Sequence, residues 1–295
     1  MFQIQNFRDL FNSMNILIAG SNGQLGSDLV KFFSKKHKII AVSRKNKKTT
    51  KNKNIIKTNY KNLSLLKLKP QIIINCVATH YFSKKKTYLN YYSSNVQQLK
   101  NLIKLYDVFE SKFFINFSSV SLYKSILKGS LNEKSKIINN DHYCNTKYLG
   151  EKILKKSTIN YVNIRLPGII CEKKNSLRPW TNRIFFDLKR NKNIEVFNYN
   201  NKYNRVIDSK EIFRILLKIL NKKNIKSTFN LSASGSIKII DLIKLIKRKV
   251  KSKSDIIVKD TYNKNSSLID NSKIQKFLKI NISSVKKIIA RNYIN

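Results

Sequence analysis

A short apolar run, Asn15-Ile-Leu-Ile-Ala19, breaks into Gly20-Ser-Asn-Gly23-Gln-Leu-Gly26 and then into helical periodicity, with Leu29, Val30, Phe32 and Phe33 apolar. This order of strand, GxxGxxG loop and helix constrains the chain more than any other feature. The early glycines let backbone approach a dinucleotide pyrophosphate without a Cβ in the way. The last lets the helix pack on the strand, and the helix start offers N–H groups and a positive dipole end to phosphate. Three of only seven glycines fall at this spacing. The loop therefore predicts a dinucleotide site at Gly20, Asn22, Gly23, Gln24, Leu25 and Gly26.

The same rhythm continues along the chain. Apolar strands are expected at Lys38–Ser43, Asn54–Lys57, Gln71–Cys76, Phe113–Phe117 and Tyr161–Leu166, with helical patterns at Tyr91–Tyr106 and His142–Leu154 between them. Short buried strands alternating with helices predict an α/β fold, a Rossmann-type doubly wound parallel sheet. After Pro167 the rhythm breaks. Residues 168–205 read as irregular apart from a helix near Thr181–Lys189. A helix at Ser209–Leu220, a strand at Thr228–Leu231 and a helix at Asp241–Val250 follow. The expected organisation is an extension at 1–13 ahead of the second methionine and a dinucleotide-binding domain at 14–167. Residues 168–295 would form mainly a smaller C-terminal α/β substrate cap, with some segments returning to the first domain.

Lys+Arg number 60 against 16 Asp+Glu, a formal charge of +44. At 41% hydrophobic residues the chain is too apolar to be disordered despite that charge. The excess invites a nucleic-acid partner, but only 10 of the 60 are Arg, and the chain is also rich in Asn and Ile. Lys, Asn and Ile share A/T-rich codons, and the lysines run from end to end. Base composition is thus the first explanation, and a nucleic-acid partner is neither expected nor excluded. Apolar runs such as Ile16–Ala19 and Ile72–Ile74 are far below the ~18 residues of a membrane span. Cys76, Cys144 and Cys171 form no CxxC pair, which makes a reducing cytoplasm the default. His37, His80 and His142 have no metal-ligand spacing, so no metal is expected.

Two further segments carry chemistry. Tyr143-Cys-Asn-Thr-Lys147 is YxxxK in a helical pattern, and residues four apart share a helix face. An ammonium beside a phenol favours the phenolate and makes the tyrosine a usable acid or base near neutrality. The fifth strand runs into Phe117-Ser118-Ser119-Val-Ser121-Leu-Tyr123, which puts a hydroxyl at the C-terminal edge of a parallel strand, facing a cleft. Arg44 follows the second strand, where an acid would bind the ribose 2′-hydroxyl. An arginine there suits a 2′-phosphate, so NADP is favoured over NAD.

Glycine loop, serine segment and YxxxK in this order resemble the extended short-chain dehydrogenase/reductase family, above all its sugar-nucleotide reductases, epimerases and dehydratases. The resemblance covers about residues 14–250. It includes Asn75-Cys-Val-Ala78 after strand four, Asn95-Val96, Gly150-Glu151, Arg165-Leu-Pro167 and Arg205-Val-Ile-Asp208. Within the family, NILIAGSNGQLG is most similar to the dTDP-4-dehydrorhamnose reductases. The resemblance implies that Tyr143 donates a proton to a sugar ketone. Lys147 would hold the nicotinamide ribose and Ser119, four residues before Tyr123, would hydrogen-bond the carbonyl. Asn59, Ala78 and Asn95 would lie beside the cofactor, with Tyr143 and Lys147 also touching it. Arg178, Arg183 and Arg205 are candidates for a substrate diphosphate, since guanidinium suits bidentate phosphate recognition.

Departures narrow the reading. Asn59 stands where an adenine-binding Asp is common, Lys124 replaces a glycine and Ser209 replaces a second Asp. Val120 and Ser121 follow Ser119, so the acids of a 4,6-dehydratase and the extra Cys of a fucose-synthase-type epimerase-reductase are missing from that segment. A 4-keto reductase and a C4-epimerase both need only Ser, Tyr, Lys and cofactor. The first strand and loop favour the reductase; the epimerase is the alternative. A non-catalytic, basic nucleic-acid-binding member of the family is a third reading. The resemblance also implies a homodimer through a helix pair that includes the YxxxK helix, and a role in cell-surface polysaccharide synthesis.

Overall fold

The computed structural model describes residues 13–44, 51–79, 87–123, 129–138, 141–173, 178–259 and 267–293. Lys124, His80 and nearly all of the 1–13 extension lie outside them. The chain divides into two compact units. The first comprises Met1–Ser118, Asn139–Ile164 and Phe213–Thr228; the second comprises Ser119–Ile138, Arg165–Ile212 and Phe229–Asn295.

The early elements are β1 (Asn15–Ala19), α1 (Gln24–Phe33), β2 (Lys38–Val42), β3 (Ile55–Thr58) and β4 (Ile72–Asn75). Then come α2 (Tyr88–Tyr92), a π-helical turn (Ser93–Gln97), α3 (Gln98–Val108) and β5 (Phe113–Ser119). The chain continues through β6 (Gly129–Leu131), α4 (His142–Lys156), β7 (Tyr161–Leu166), β8 (Gly168–Ile170), α5 (Trp180–Lys189) and β9 (Ile194–Val196). Next are β10 (Lys202–Tyr203), β11 (Val206–Asp208), α6 (Ser209–Leu220), β12 (Lys226–Asn230), β13 (Ile237–Lys238) and α7 (Ile239–Val250). The chain ends with β14 (Ile256–Val258), β15 (Ser267–Ile269), α8 (Ser272–Leu278) and α9 (Val285–Asn292).

Seven strands form one sheet in the order β12-β7-β5-β4-β1-β2-β3, with parallel pairing from β3 through β5. This is the doubly wound order, with its reversal between β1 and β4. The inner strands β1, β4 and β5 are mostly apolar and buried because helices cover both faces of such a sheet, whereas the edge strand β3 is partly exposed. Leu17, Ile40, Ile73 and Phe114 pack with Leu99, Leu102 and Leu154 in one core. The sheet also carries a buried polar line. Asn75 donates to Asn116 at 2.8 Å, Asn116 to Asn163 at 2.7 Å, and Asn163 to Thr228 Oγ1 at 3.3 Å. The amides satisfy one another across β4, β5, β7 and β12, as buried amides must.

The second unit is built from short paired strands: β8 with β11, β9 with β14, β6 with β15, and β10 with β13. Residues 168–205, which read as irregular, hold three of these strands. Runs of two or three residues carry no alternation that a sequence pattern could reveal. The C-terminal segment closes on this unit. Arg291 forks onto buried Asp208 at 2.5 and 2.6 Å and reaches Glu211 at 3.2 Å. Asp208 also accepts from Glu211 N at 2.8 Å, capping α6. The Tyr293 hydroxyl donates to Asn182 Oδ1 at 2.6 Å and lies 2.8 Å from Thr181 Oγ1. Among the described residues no helix is long and apolar enough to cross a membrane.

Candidate active site

In the first unit the glycine loop is folded tightly on itself. Gly20 takes φ +77°, and Gly20 N and Ser21 N both donate to Val42 O, at 2.9 and 3.0 Å. Gly23 N closes the turn on Gly20 O at 2.9 Å. A Cβ on Gly26 would lie 2.3 Å from Gly20 O, and one on Gly20 would lie 2.9 Å from the Cys76 backbone. Gly23 caps α1 without a side chain, and the first turn of the helix holds no acid. The residues present thus fit a phosphate group. The helix start carries neither a capping side chain nor a carboxylate to compete with an anion, and the backbone is bare.

The other residues expected beside a cofactor take distinct positions. Asn22 donates to Ser43 Oγ at 2.8 Å, bracing the loop against the end of β2. Gln24 and buried Leu25 open α1, and Arg44 is exposed just past β2. Asn59 accepts from Asn62 N at 3.1 Å, so its amide caps the following 3-10 turn. Next to it, Tyr60 hydrogen-bonds the Gly20 backbone; burial pushes its hydroxyl up to about 12 against that bond's opposing pull. Ala78 is exposed after β4. Asn95 sits in the π turn, accepts from Thr79 N at 3.3 Å and donates to Thr146 Oγ1 at 3.0 Å. It therefore ties the loop after β4 to α4.

α4 is capped by Asp141, whose carboxylate accepts from Cys144 N at 2.8 Å. The helix carries Tyr143 half-buried, with its ring edge-to-face on Tyr91 at 6.2 Å. One turn on, Lys147 is buried and donates Nζ to Phe117 O at 3.0 Å. Burial pulls its pKa down to about 8, with Glu151 and Cys76 opposing that drop. Burial pushes the Cys76 thiol well above the ordinary cysteine range, with the Lys147 charge pulling the other way. Cys76 thus marks where the glycine loop and the YxxxK helix meet, at the end of β4.

The remaining candidates lie in the second unit. Ser119 is buried at the end of β5, two residues beyond the carbonyl that holds Lys147, and its Oγ accepts from Ser121 N at 3.1 Å. Its own proton is left to donate. Ser118, still in the first unit, has a buried Oγ without a hydrogen-bond partner among the described residues. Arg178 is exposed, and its carbonyl accepts from Asn182 at 2.6 Å. Arg183 pairs with Asp187 along α5 at 3.6 Å. Arg205 donates Nε to Ser267 O at 3.0 Å and Nη2 to Ser267 Oγ. Tyr91, Thr146 and Tyr60 escaped the sequence reading. Thr146 lies within YCNTK itself, but nothing in the spacing says that it holds Asn95.

A doubly wound sheet in this order, opening on a GxxGxxG loop, with a lysine of a YxxxK helix bound to the strand that ends in the serine segment, defines an extended short-chain dehydrogenase/reductase. Within that class the chain belongs to the RmlD substrate binding domain family, whose model matches residues 14–289. No curated protein sequence matches it significantly. Among solved structures it is similar to a UDP-N-acetylglucosamine 4-epimerase from Methanobrevibacter ruminantium in complex with UDP-N-acetylmuramic acid. That match has 17% identity and a TM-score of 0.77, covering 96% of this chain and 97% of that one. A UDP-glucose 4-epimerase from Thermotoga maritima with UDP-glucose gives 16% identity, TM-score 0.77 and coverage of 95% and 97%. The Bordetella bronchiseptica enzyme WbmG in complex with NAD gives 18%, 0.78, and 95% and 93%.

Proposed function

We propose that the chain is an NAD(P)-dependent oxidoreductase that reduces the 4-keto group of a nucleotide-activated sugar. The observation that carries this reading is Lys147, a buried lysine held by Phe117 O one helical turn from Tyr143. A buried ammonium is costly, and its place one helical turn from a tyrosine gives that cost a catalytic use. The nicotinamide, when bound, supplies or accepts the hydride. The chain's own residues do the rest. Tyr143 gives its proton to the sugar carbonyl oxygen, and Ser119 donates a hydrogen bond to that same oxygen. Lys147 holds the nicotinamide ribose and favours release of the phenolic proton. Gly20, Gly23 and Gly26, with Asn22, Gln24 and Leu25, hold the pyrophosphate at the start of α1.

Arg44 takes the 2′-phosphate of NADP. Asn59, Ala78 and Asn95 line the cofactor, Asn95 by positioning the loop after β4. Arg178, Arg183 and Arg205 serve the substrate diphosphate, which requires Arg183 and Arg205 to exchange their present partners. The domain scheme of 14–167 for cofactor and 168–295 mainly for substrate belongs to the same proposal.

The test is titration of the protein with NADPH and NADH in about 0.3 M salt, which screens loose phosphate attraction. Saturable NADPH binding lost in Gly23→Asp is expected, followed by NADPH oxidation with a 4-keto sugar nucleotide that Tyr143→Phe abolishes. If neither cofactor binds, the reading fails.

The epimerases among the similar structures favour a second reading, C4-epimerisation of a UDP-sugar. The two differ in cofactor balance. A reductase consumes one NADPH per product, whereas an epimerase interconverts sugars with no net change in cofactor absorbance.

A further inference from the structure

The second unit holds a groove of about 1010 Å³ whose lining includes seven Lys or Arg side chains and one acid, Asp241. The cations come from separate elements: Lys202 on β10, Lys238 on β13, Lys244, Lys247 and Arg248 on α7, Lys251 at its C-cap, and Lys286 on α9. Two arrangements there bring like charges together. Lys202 and Lys238 are direct antiparallel cross-strand partners, a like-charge pairing. Lys244, Lys247 and Arg248 follow at i, i+3 and i+4, so they stack on one face of α7 and repel.

Favourable interaction with the helix dipole explains cations in the last turn of α7. It does not explain Lys244, nor the lysines delivered by β10, β13 and α9. Among the described residues Lys238, Lys244, Lys247, Arg248, Lys251 and Lys286 make no ion pair. A composition rich in lysine scatters charge; it does not require like charges to face one another across a strand pair and along a helix in the same concavity.

We propose that this groove binds the phosphodiester backbone of single-stranded nucleic acid. A row of phosphates neutralises Lys238, Lys244, Lys247, Arg248, Lys251 and Lys286, the cations that make no ion pair among the described residues, releasing counterions. Among the described residues no aromatic side chain lines the groove, so bases are not stacked, and binding follows charge without base readout. A concave site does not fit the flat face of a bilayer. The site is independent of the reductase reading.

The test uses the full chain and a labelled oligouridine of about 20 nucleotides, followed by anisotropy across a salt series. The triple variant Lys244→Glu, Lys247→Glu, Lys251→Glu is compared with the charge-matched Lys61→Glu, Lys100→Glu, Lys104→Glu, exposed lysines of the first unit. The groove triple should bind at least about tenfold more weakly, and its salt slope should fall by about 2, the loss of three backbone contacts. The control should change by less than about threefold. Equal losses in both triples would mean bulk charge and overturn the proposal. So would binding to phosphatidylserine vesicles in place of the oligonucleotide. If the groove triple does not fold, Lys238→Gln with Lys286→Gln, from other elements, must give the weaker binding alone.

Discussion

Replacing Lys147 with methionine should reverse the order of stability between parent and variant as pH rises. In the folded state the Lys147 pKa is drawn down by burial from 10.5 to about 8. That gap corresponds to about 3 kcal/mol of cost in keeping the charge buried at neutral pH. Below pH 8 both folded and unfolded states hold the proton, so the full cost is present. Between pH 8 and 10.5 the unfolded state binds more protons than the folded one, and the parent's stability rises with pH. About 2.5 kcal/mol is regained by pH 10. The methionine side chain has no charge to bury, but it orphans the Phe117 carbonyl that now accepts Nζ at 3.0 Å, a loss of about 1–3 kcal/mol. At pH 7 the variant should therefore equal or exceed the parent by up to about 2 kcal/mol, while catalysis is lost. By pH 10 it should be the less stable of the two. Urea unfolding of both proteins at pH 7, 8.5 and 10 measures the difference directly, since other groups that titrate are common to both. A gap that stays within about 0.5 kcal/mol across the series would refute the claim that the lysine is held charged against a desolvation cost.

Gly26→Ala places a Cβ 2.3 Å from Gly20 O; the loop must open, and NADPH affinity should fall at least about a hundredfold in a fluorescence titration, with the melting temperature also lowered. Arg291→Met leaves Asp208 and Glu211 buried without their guanidinium, and urea unfolding should report about 3–5 kcal/mol lost. Double replacement with Asp208→Asn should recover part of that loss, since one of the stranded charges is then gone. Arg44→Ala should weaken NADPH by about tenfold or more and leave NADH unchanged, which paired titrations would reveal.

What could be read from the sequence followed from periodicity and from backbone constraint. β1, β7 and α6 were legible residue for residue because apolar residues recur along each at the spacing of its element, although in β7 the polar Asn163 and Arg165 are buried as well. The glycine loop was legible because only glycine tolerates the contacts made at Gly20 and Gly26. The pattern at Tyr91–Tyr106 hid a break. A π turn at Ser93–Gln97 shifts the register between α2 and α3 and turns Asn95 inward onto Thr79 N and Thr146. Nothing in SSNVQ forces that turn; the partners that stabilise it lie 16 and 51 residues away.

The same limit governs the second unit. Ser267 and Arg205, or Arg291 and Asp208, meet across 62 and 83 residues, and a cation's partner is not encoded in its neighbours. For the arginines this changes the argument about function. A guanidinium's fit to a diphosphate makes Arg205 and Arg183 candidates as phosphate ligands, yet both already have partners, Ser267 and Asp187. Residue type identifies a group that suits phosphate, but it cannot say whether the guanidinium holds the fold or awaits a ligand. Lysine presents the opposite case. Lys147 is one residue of a very common type, and burial together with a single backbone acceptor separates it from the solvated lysines around the surface.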